Sequence, residues 1–273
     1  MTMQLRTFFA LAALCLIFTT RIAGAAQSSE QFKPTEGQEG KDVVWVPTPA
    51  ILVEHMLDVA KVTPQDFVMD LGSGDGRNII AAAKRGARAL GVEYNPNMVA
   101  LAQNAAADAG VADKAQFVQG DMYEADISQA TVLALFLLPE NLRKLTPKFA
   151  DLKPGTRIVA NTFGISDWEV EQTTRTEGDC YAWCTALLYL VPAKVAGQWR
   201  MPQGVLTIEQ KYQTFTGTLL AAGVNTSVAN GRLNGDRISF NVGGIEYTGR
   251  VSGDSISSVA GNPAWSATRV NQR

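Results

Sequence analysis

The chemistry-bearing stretch of this chain is Phe67-Val-Met-Asp-Leu-Gly-Ser-Gly-Asp-Gly-Arg77. An apolar, strand-like run ends in a turn holding Gly72, Ser73, Gly74 and Gly76, and a helical stretch follows. Glycines in such a turn let backbone approach a ligand where any Cβ would collide. The dinucleotide fingerprint G-x-G-x-x-G fails, because its third glycine would fall on Arg77. Charge argues the same way, since a pyrophosphate at this helix start would face Asp75, with Asp70 just behind it. The loop instead suits a cationic ligand.

Two further acids complete a pattern. Glu93 closes the apolar run Gly91-Val-Glu-Tyr-Asn95, 21 residues beyond Gly72, where a carboxylate is placed to accept both hydroxyls of a ribose. A third run, 116–119, leads into Gly120-Asp121-Met122, so that Asp121 would accept from an adenine amino group while Met122 packs on the ring. S-adenosyl-L-methionine fits this description, its ammonium and sulfonium met by Asp70 and backbone carbonyls. Each acid taken singly also reads as a turn or cap residue. Three of them, each after its own strand and in this order, form a specific signal.

The elements that must position these residues follow from periodicity. From residue 43 to about 192, strand-like runs (66–71, 89–93, 131–138, 157–162) alternate with helical stretches (78–85, 97–109, 140–151). Such alternation predicts an α/β fold, a doubly wound Rossmann-like sheet. Near residue 196 the composition changes. Residues 196–273 hold 11 of the 24 glycines, show no helical period, and carry 7 basic and 4 acidic side chains against 15 and 22 in residues 26–195. Gly231-Arg-Leu-Asn-Gly-Asp-Arg-Ile-Ser239 recurs as Gly249-Arg-Val-Ser-Gly-Asp-Ser-Ile-Ser257, each copy a hairpin turning at Asn234-Gly235 or Ser252-Gly253. Residues 196–273 are therefore expected to form a small antiparallel β-sheet or barrel domain after a sheet domain spanning 43–195. Residues 26–42, polar and rich in Gly and Pro, read as a flexible leader.

Across about residues 44–192 the chain resembles the class I S-adenosylmethionine-dependent methyltransferases. Within them it is most similar to the family that includes the mitochondrial lysine methyltransferases acting on ATP synthase and on the adenine nucleotide translocase. The shared features are Val46-Pro-Thr-Pro49, the Asp70–Arg77 run and Leu135-Phe-Leu-Leu-Pro139. The resemblance implies methyl transfer from S-adenosylmethionine to an N or O acceptor, a protein lysine or a small molecule, by an in-line displacement that requires no metal. It places the acceptor between residues 45–49 and Leu137-Leu138-Pro139-Glu140. There Pro139 and Glu140 are the candidate catalytic residues, Glu140 orienting an ammonium or simply complementing a helix dipole. Adenine and glutamine acceptors, which go with an Asn/Asp-Pro-Pro-Tyr type motif at this position, are disfavoured. His55, the single histidine, is a candidate base or a helix residue packed on the sheet, and Trp168 a candidate pocket wall or packing residue. A different reading is an exported adenosyl-ligand-binding or envelope interaction protein without turnover.

Residues 1–25 read as an export signal: Arg6, the apolar run 8–18 and the small residues Ala23-Gly24-Ala25. Eleven apolar residues are few for a span, so membrane attachment is expected only if the segment stays uncleaved. Without Arg6 and Arg21, 22 basic residues face 26 acidic ones, and nothing suggests a nucleic-acid partner. Cys180 and Cys184 remain; they pair in an oxidising compartment if the chain turns between them, but not along a straight strand. The expected location is periplasmic or secreted. Mass spectrometry of the purified protein should find a mature N-terminus near Ala26 on extracytoplasmic material; an intact Met1 on cytosolic protein contradicts this.

Overall fold

The computed structural model describes residues 32–178, 180–259 and 264–270. The export signal, at 1–25, lies outside them. In chain order the sheet domain comprises α1 (Ala50–Val59), β1 (Phe67–Leu71), α2 (Arg77–Lys84), β2 (Arg88–Glu93), α3 (Pro96–Asp108), β3 (Ala115–Gln119), β4 (Val132–Leu135), α4 (Pro139–Ala150), β5 (Arg157–Asn161), β6 (Gln172–Arg175) and β7 (Thr185–Leu190). The strands lie in the order β3-β2-β1-β4-β5-β7-β6, parallel from β3 to β5, with β7 antiparallel to both neighbours. The order reverses between β1 and β4, and in an open sheet of this kind ligands bind at the carboxyl ends of the strands beside that switch.

Strand alternation sorts the core into two layers. Val68, Val132, Ala134 and Val159 face α1, α2 and α3, where Leu52, Met56, Ile79 and Ala102 are buried. Met69, Leu71, Leu133, Leu135, Ile158 and Ala160 face α4, with Leu142, Leu145 and Phe149. Small alanines on α2 and α3 let those helices sit close to the strands. At the amino ends of β1, β4 and β5, buried Asp66 is ion-paired with Arg157 and accepts from Thr131 Oγ1 at 2.7 Å and Thr63 N at 2.8 Å. Burial pushes its carboxyl up, but these donors outweigh burial and hold it below its ordinary value. β4 ends three residues earlier than its apolar run suggests. Pro139 at the start of α4 biases the residue before it to extended backbone, so residues 136–138 form a loop.

Strands β8 (Gly197–Met201), β9 (Gly204–Lys211), β10 (Thr214–Ala221), β11 (Val224–Asn234), β12 (Arg237–Val242), β13 (Ile245–Ser252), β14 (Ser255–Ser258) and β15 (Ser266–Arg269) close an antiparallel barrel. Its interior is filled by Trp199, Leu206, Phe215, Phe240, Tyr247 and Trp265, as expected for eight strands. Phe240 stacks on Tyr247 at 5.0 Å and meets Trp265 edge-on at 5.6 Å. The two copies of the internal repeat have different fates. The Asn234-Gly235 turn docks on the sheet domain, where Gly235 O accepts from Ala193 N at 2.8 Å and Asn234 Nδ2 donates to Glu171 at 2.9 Å. In the second copy Asp254 instead pairs at the surface with Arg269 of the barrel's own last strand, at 2.9 Å.

Trp168 belongs to that docking face. It is 3% exposed, stacks on Tyr212 at 4.6 Å and 12°, and meets Tyr189 edge-on. Beside it Gln213 Nε2 donates to Glu169 O at 2.6 Å, and Arg232 pairs with the Glu169 carboxylate. The side chain considered above as a wall of the acceptor pocket is thus a joint between sheet and barrel. Truncating a buried Trp costs about 3–5 kcal/mol. Trp168→Ala should lower stability to urea by that order; a loss under about 1 kcal/mol would show that the stack contributes little.

Candidate functional site

A cleft opens at the carboxyl ends of β1, β2, β3 and β4. It encloses about 710 Å³ of empty space, counting the part open to solvent. Gly72 follows β1, Glu93 ends β2 and Tyr94 follows it, Asn95 caps α3 and Met98 lies in its first turn, Asp121 and Met122 follow β3, and Phe136 and Leu137 follow β4. Residues 38–46 form the remaining wall. Composition assigns residues 26–42 to a flexible leader, yet 38–42 are part of this cleft. Gly37 N donates to Trp45 O and Trp45 N to Gln38 O, closing the segment into a strap. Lys41 binds the Asp121 carboxylate and lies 5.0 Å above the Tyr94 ring. Composition misses this because long-range partners, and not apolar content, order the strap.

Glu93 is the hinge of the arrangement. Its Oε2 accepts from Gly74 N at 2.9 Å and its Oε1 from Asn95 N at 2.9 Å, joining the glycine loop to the start of α3. Asn95 in turn caps α3 by accepting from Asn97 N at 2.9 Å, ahead of Pro96 at the first helical position. The glycines divide the work. Gly72 borders the cleft, whereas a Cβ on Gly74 (φ +54°) would stand 2.7 Å from Trp45 Nε1, and one on Gly76 (φ +82°) 2.6 Å from Phe117. Gly74 and Gly76 therefore let the loop pack against strap and core, and neither they nor Ser73 belong to the cleft lining.

Asp70 is buried and likewise outside the lining. Its Oδ2 accepts from Asn78 Nδ2 at 3.0 Å, tying β1 to α2, while its Oδ1 has no partner; nor does the buried Ser73 Oγ. Burial pushes the Asp70 carboxyl up to about 8, with the Glu93 and Asp75 charges adding and the Asn78 bond opposing. Asp75 is not the bare charge that the sequence suggests, because Arg77 neutralises it and also donates to Thr48 O at 2.6 Å. Asp70, titrating at about 8, carries little charge at neutral pH, so discrimination against a pyrophosphate falls to the lining residue Glu93. Asp121 accepts from Tyr123 N at 2.9 Å, and Lys41 foremost holds its carboxyl below the ordinary value. Met122 is buried and lines the cleft beside it.

The structure does not bring Pro139 and Glu140 into the lining. Pro139 is the first residue of α4, and exposed Glu140 pairs with Arg143 at 2.7 Å along the same helix. A first-turn acid three residues ahead of an arginine is drawn along the helix surface. His55 Nε2 contacts Thr174 Oγ1 at 2.8 Å, linking α1 to β6, and it too is outside the lining. Tyr94, Met98 and Phe136 were not singled out from sequence. Tyr94 directly follows the acid and Phe136 directly follows β4, so adjacency to the motif was the available signal.

These residues fit S-adenosylmethionine. Buried, unpartnered oxygens belong to Asp70 near the end of β1 and to Ser73 in the loop, and the lining holds four acidic residues (Glu39, Asp42, Glu93, Asp121) and a single lysine. The sheet order, the glycine loop at the switch and the acids ending the next two strands define an S-adenosylmethionine-dependent methyltransferase. The model of the ANTKMT methyltransferase domain family matches residues 70–172. Over 138 residues the chain is 44% identical to a protein-lysine N-methyltransferase of Saccharolobus islandicus, covering 50% of this chain and 86% of that protein. It is 34% identical over 131 residues to an ATP synthase lysine N-methyltransferase of Mus musculus, spanning 48% of this chain and only about half, 53%, of that protein. Among solved structures, an RNA methyltransferase from Salinibacter ruber in complex with S-adenosyl-L-homocysteine aligns with TM-score 0.52 and 43% identity, covering 55% of this chain and 96% of that one. The chain belongs to the ANTKMT methyltransferase family.

Two outcomes follow. Glu93→Ala should weaken S-adenosylmethionine binding in calorimetry at least about tenfold, or 1.4 kcal/mol. It should also lower the melting temperature of the free chain, because Gly74 N and Asn95 N lose their acceptor; unchanged affinity removes the ribose assignment. For Asp70 the folded pKa of about 8 lies above the ordinary 3.8, so through that window the folded chain holds a proton that the unfolded chain has released. Its stability therefore falls as pH rises from about 4 to 8. Asp70→Asn should flatten that slope in melting experiments between pH 5 and 8; parallel curves for the two proteins would exclude a protonated Asp70.

Proposed function

We propose that the protein is an exported protein-lysine N-methyltransferase. The observation that carries the acceptor class is the charge of the cleft, where four carboxylates and one lysine favour a cationic side chain over a polyanion. An RNA acceptor would want a basic surface to meet its phosphates, and the chain is net acidic at −2. The lysine specificity named for the relatives in Saccharolobus islandicus and Mus musculus agrees with this reading. Export is supported by the signal-like residues 1–25 and by the Cys180–Cys184 disulfide, a bond that persists in oxidising compartments.

When bound, S-adenosylmethionine supplies an electrophilic methyl carbon on its sulfonium. Glu93 would hold the ribose and Asp121 with Met122 the adenine, while Gly72 would present backbone to the amino-acid portion. Phe136 and Leu137 form the apolar wall on the acceptor side, where desolvation lowers an amine's pKa and favours release of its proton to water. The strap closes the opposite side and limits access of water. Positioning and desolvation are the chain's contribution.

The test incubates the mature chain with methyl-labelled S-adenosylmethionine and separated membrane and soluble fractions, then hydrolyses the products to free amino acids and nucleosides. Label in methylated lysine is the expected outcome. Label in nucleosides or in other amino acids, with none in lysine, overturns the acceptor assignment.

A further inference from the structure

Three aromatic side chains meet at the acceptor side of the cleft, each from a different loop. Phe136 follows β4 and lines the cleft, Phe163 follows β5, and Trp183 directly precedes Cys184 ahead of β7. Their centroids form a triangle of 6.3 Å (Phe136–Phe163), 5.9 Å (Phe136–Trp183) and 5.4 Å (Phe163–Trp183), with Trp183 tilted about 50° to the other two. At that spacing the rings touch one another and leave no room for a cation between them, so what they offer is an outer face. Trp183 is 40% exposed, and neighbouring Tyr181 93% exposed, although burial would have stabilised both. Trp183 also holds a left-handed backbone, φ +58°, which costs a residue with a Cβ. The loop keeps this conformation because Cys180 and Cys184 are joined, with Cα atoms 5.8 Å apart, and Cys184 is buried at the start of β7.

An exposed aromatic in a strained, disulfide-closed loop that adjoins the cofactor cleft through Phe136 has a use that folding alone does not explain. We propose that Phe136, Phe163 and Trp183 form the acceptor subsite, an aromatic wall along which an alkyl-ammonium side chain lies, with the Cys180–Cys184 disulfide holding Trp183 in place. The methylene stem packs on the rings, and the ammonium meets the face of Trp183. The carboxylates of the cleft add attraction for the cation on its way in. Trp183 is accordingly a specificity residue, and the two cysteines are positioning residues. The inference deepens the lysine reading and rests on it.

The experiment uses the mature chain saturated with S-adenosylhomocysteine and two probes of similar length, Nα-acetyl-Nε,Nε-dimethyl-lysine amide and Nα-acetyl-norleucine amide, followed by ligand-observed NMR. The wild type should bind the cation at least about fivefold more tightly than the neutral probe. Trp183→Leu, which keeps apolar bulk and loses the π face, should abolish that preference while cofactor affinity stays within about twofold of the wild type. Trp183→Phe should keep most of it, and the Cys180→Ser/Cys184→Ser pair should weaken it without touching cofactor affinity. Equal binding of the two probes by the wild type, or an unchanged preference in Trp183→Leu, overturns the subsite whatever the hydrolysate contains. If instead the transferred label is absent from lysine while Trp183→Leu still loses the cation preference, the lysine reading fails and the cation subsite stands.

Discussion

A carboxylate that accepts from two backbone N–H groups of different loops fixes both loops at once, and Glu93 does this between Gly74 and Asn95. The floor of the cleft depends on it. Asn95 then caps α3, and the glycine loop, whose Gly72 and Ser73 N–H groups both reach Val92 O, opens α2. Arg77 carries the constraint further by binding Asp75 in the loop and Thr48 O ahead of α1. The glycine loop, the start of α3 and the segment ahead of α1 are thus held in one hydrogen-bonded frame. Such preorganisation puts binding energy into the ligand rather than into ordering the site.

Asp70 shows the cost of that frame. A carboxyl buried with one unpartnered oxygen and a raised pKa is a liability in a free protein, since burying an unpaired polar group is expensive. A protonated Asp70 leaves the charge selectivity of the cleft to its lining acidic residues, which disfavour a phosphate and favour an ammonium and a sulfonium.

The barrel meets the sheet domain through the segment between β5 and β6. Trp168, Glu169 and Glu171 all bind residues of the barrel hairpins. Phe163, five residues before Trp168, belongs to the aromatic wall beside the cleft. One short segment is therefore anchored at one end in the acceptor wall and at the other in the barrel.

Much of the sheet and of the cofactor site was legible in the sequence, for a physical reason: βα units are local. A strand, a glycine turn and a helix lie within some twenty residues, so Gly72, Glu93, Asp121 and Met122 of the cleft lining announce themselves by their distance from apolar runs, whereas Asp70, equally marked, lies outside that lining. The Gly235 and Gly253 hairpins announce the β character of the tail in the same way. Contacts between segments distant in sequence carry no such signature. Nothing near Lys41 marks it as the partner of Asp121, 80 residues away, or marks residues 38–42 as a wall and not a tether. Trp168 could equally have faced a pocket or a partner, and only the arrival of Tyr212 decided it. Glu140 was placed by motif position at the acceptor, but helix phase and Arg143 turned it along the surface of α4. Trp183, proposed for the acceptor face, depends on a loop closure between two cysteines that spacing alone left open. Local pattern determined the cofactor half of the site; long-range packing decided the acceptor half.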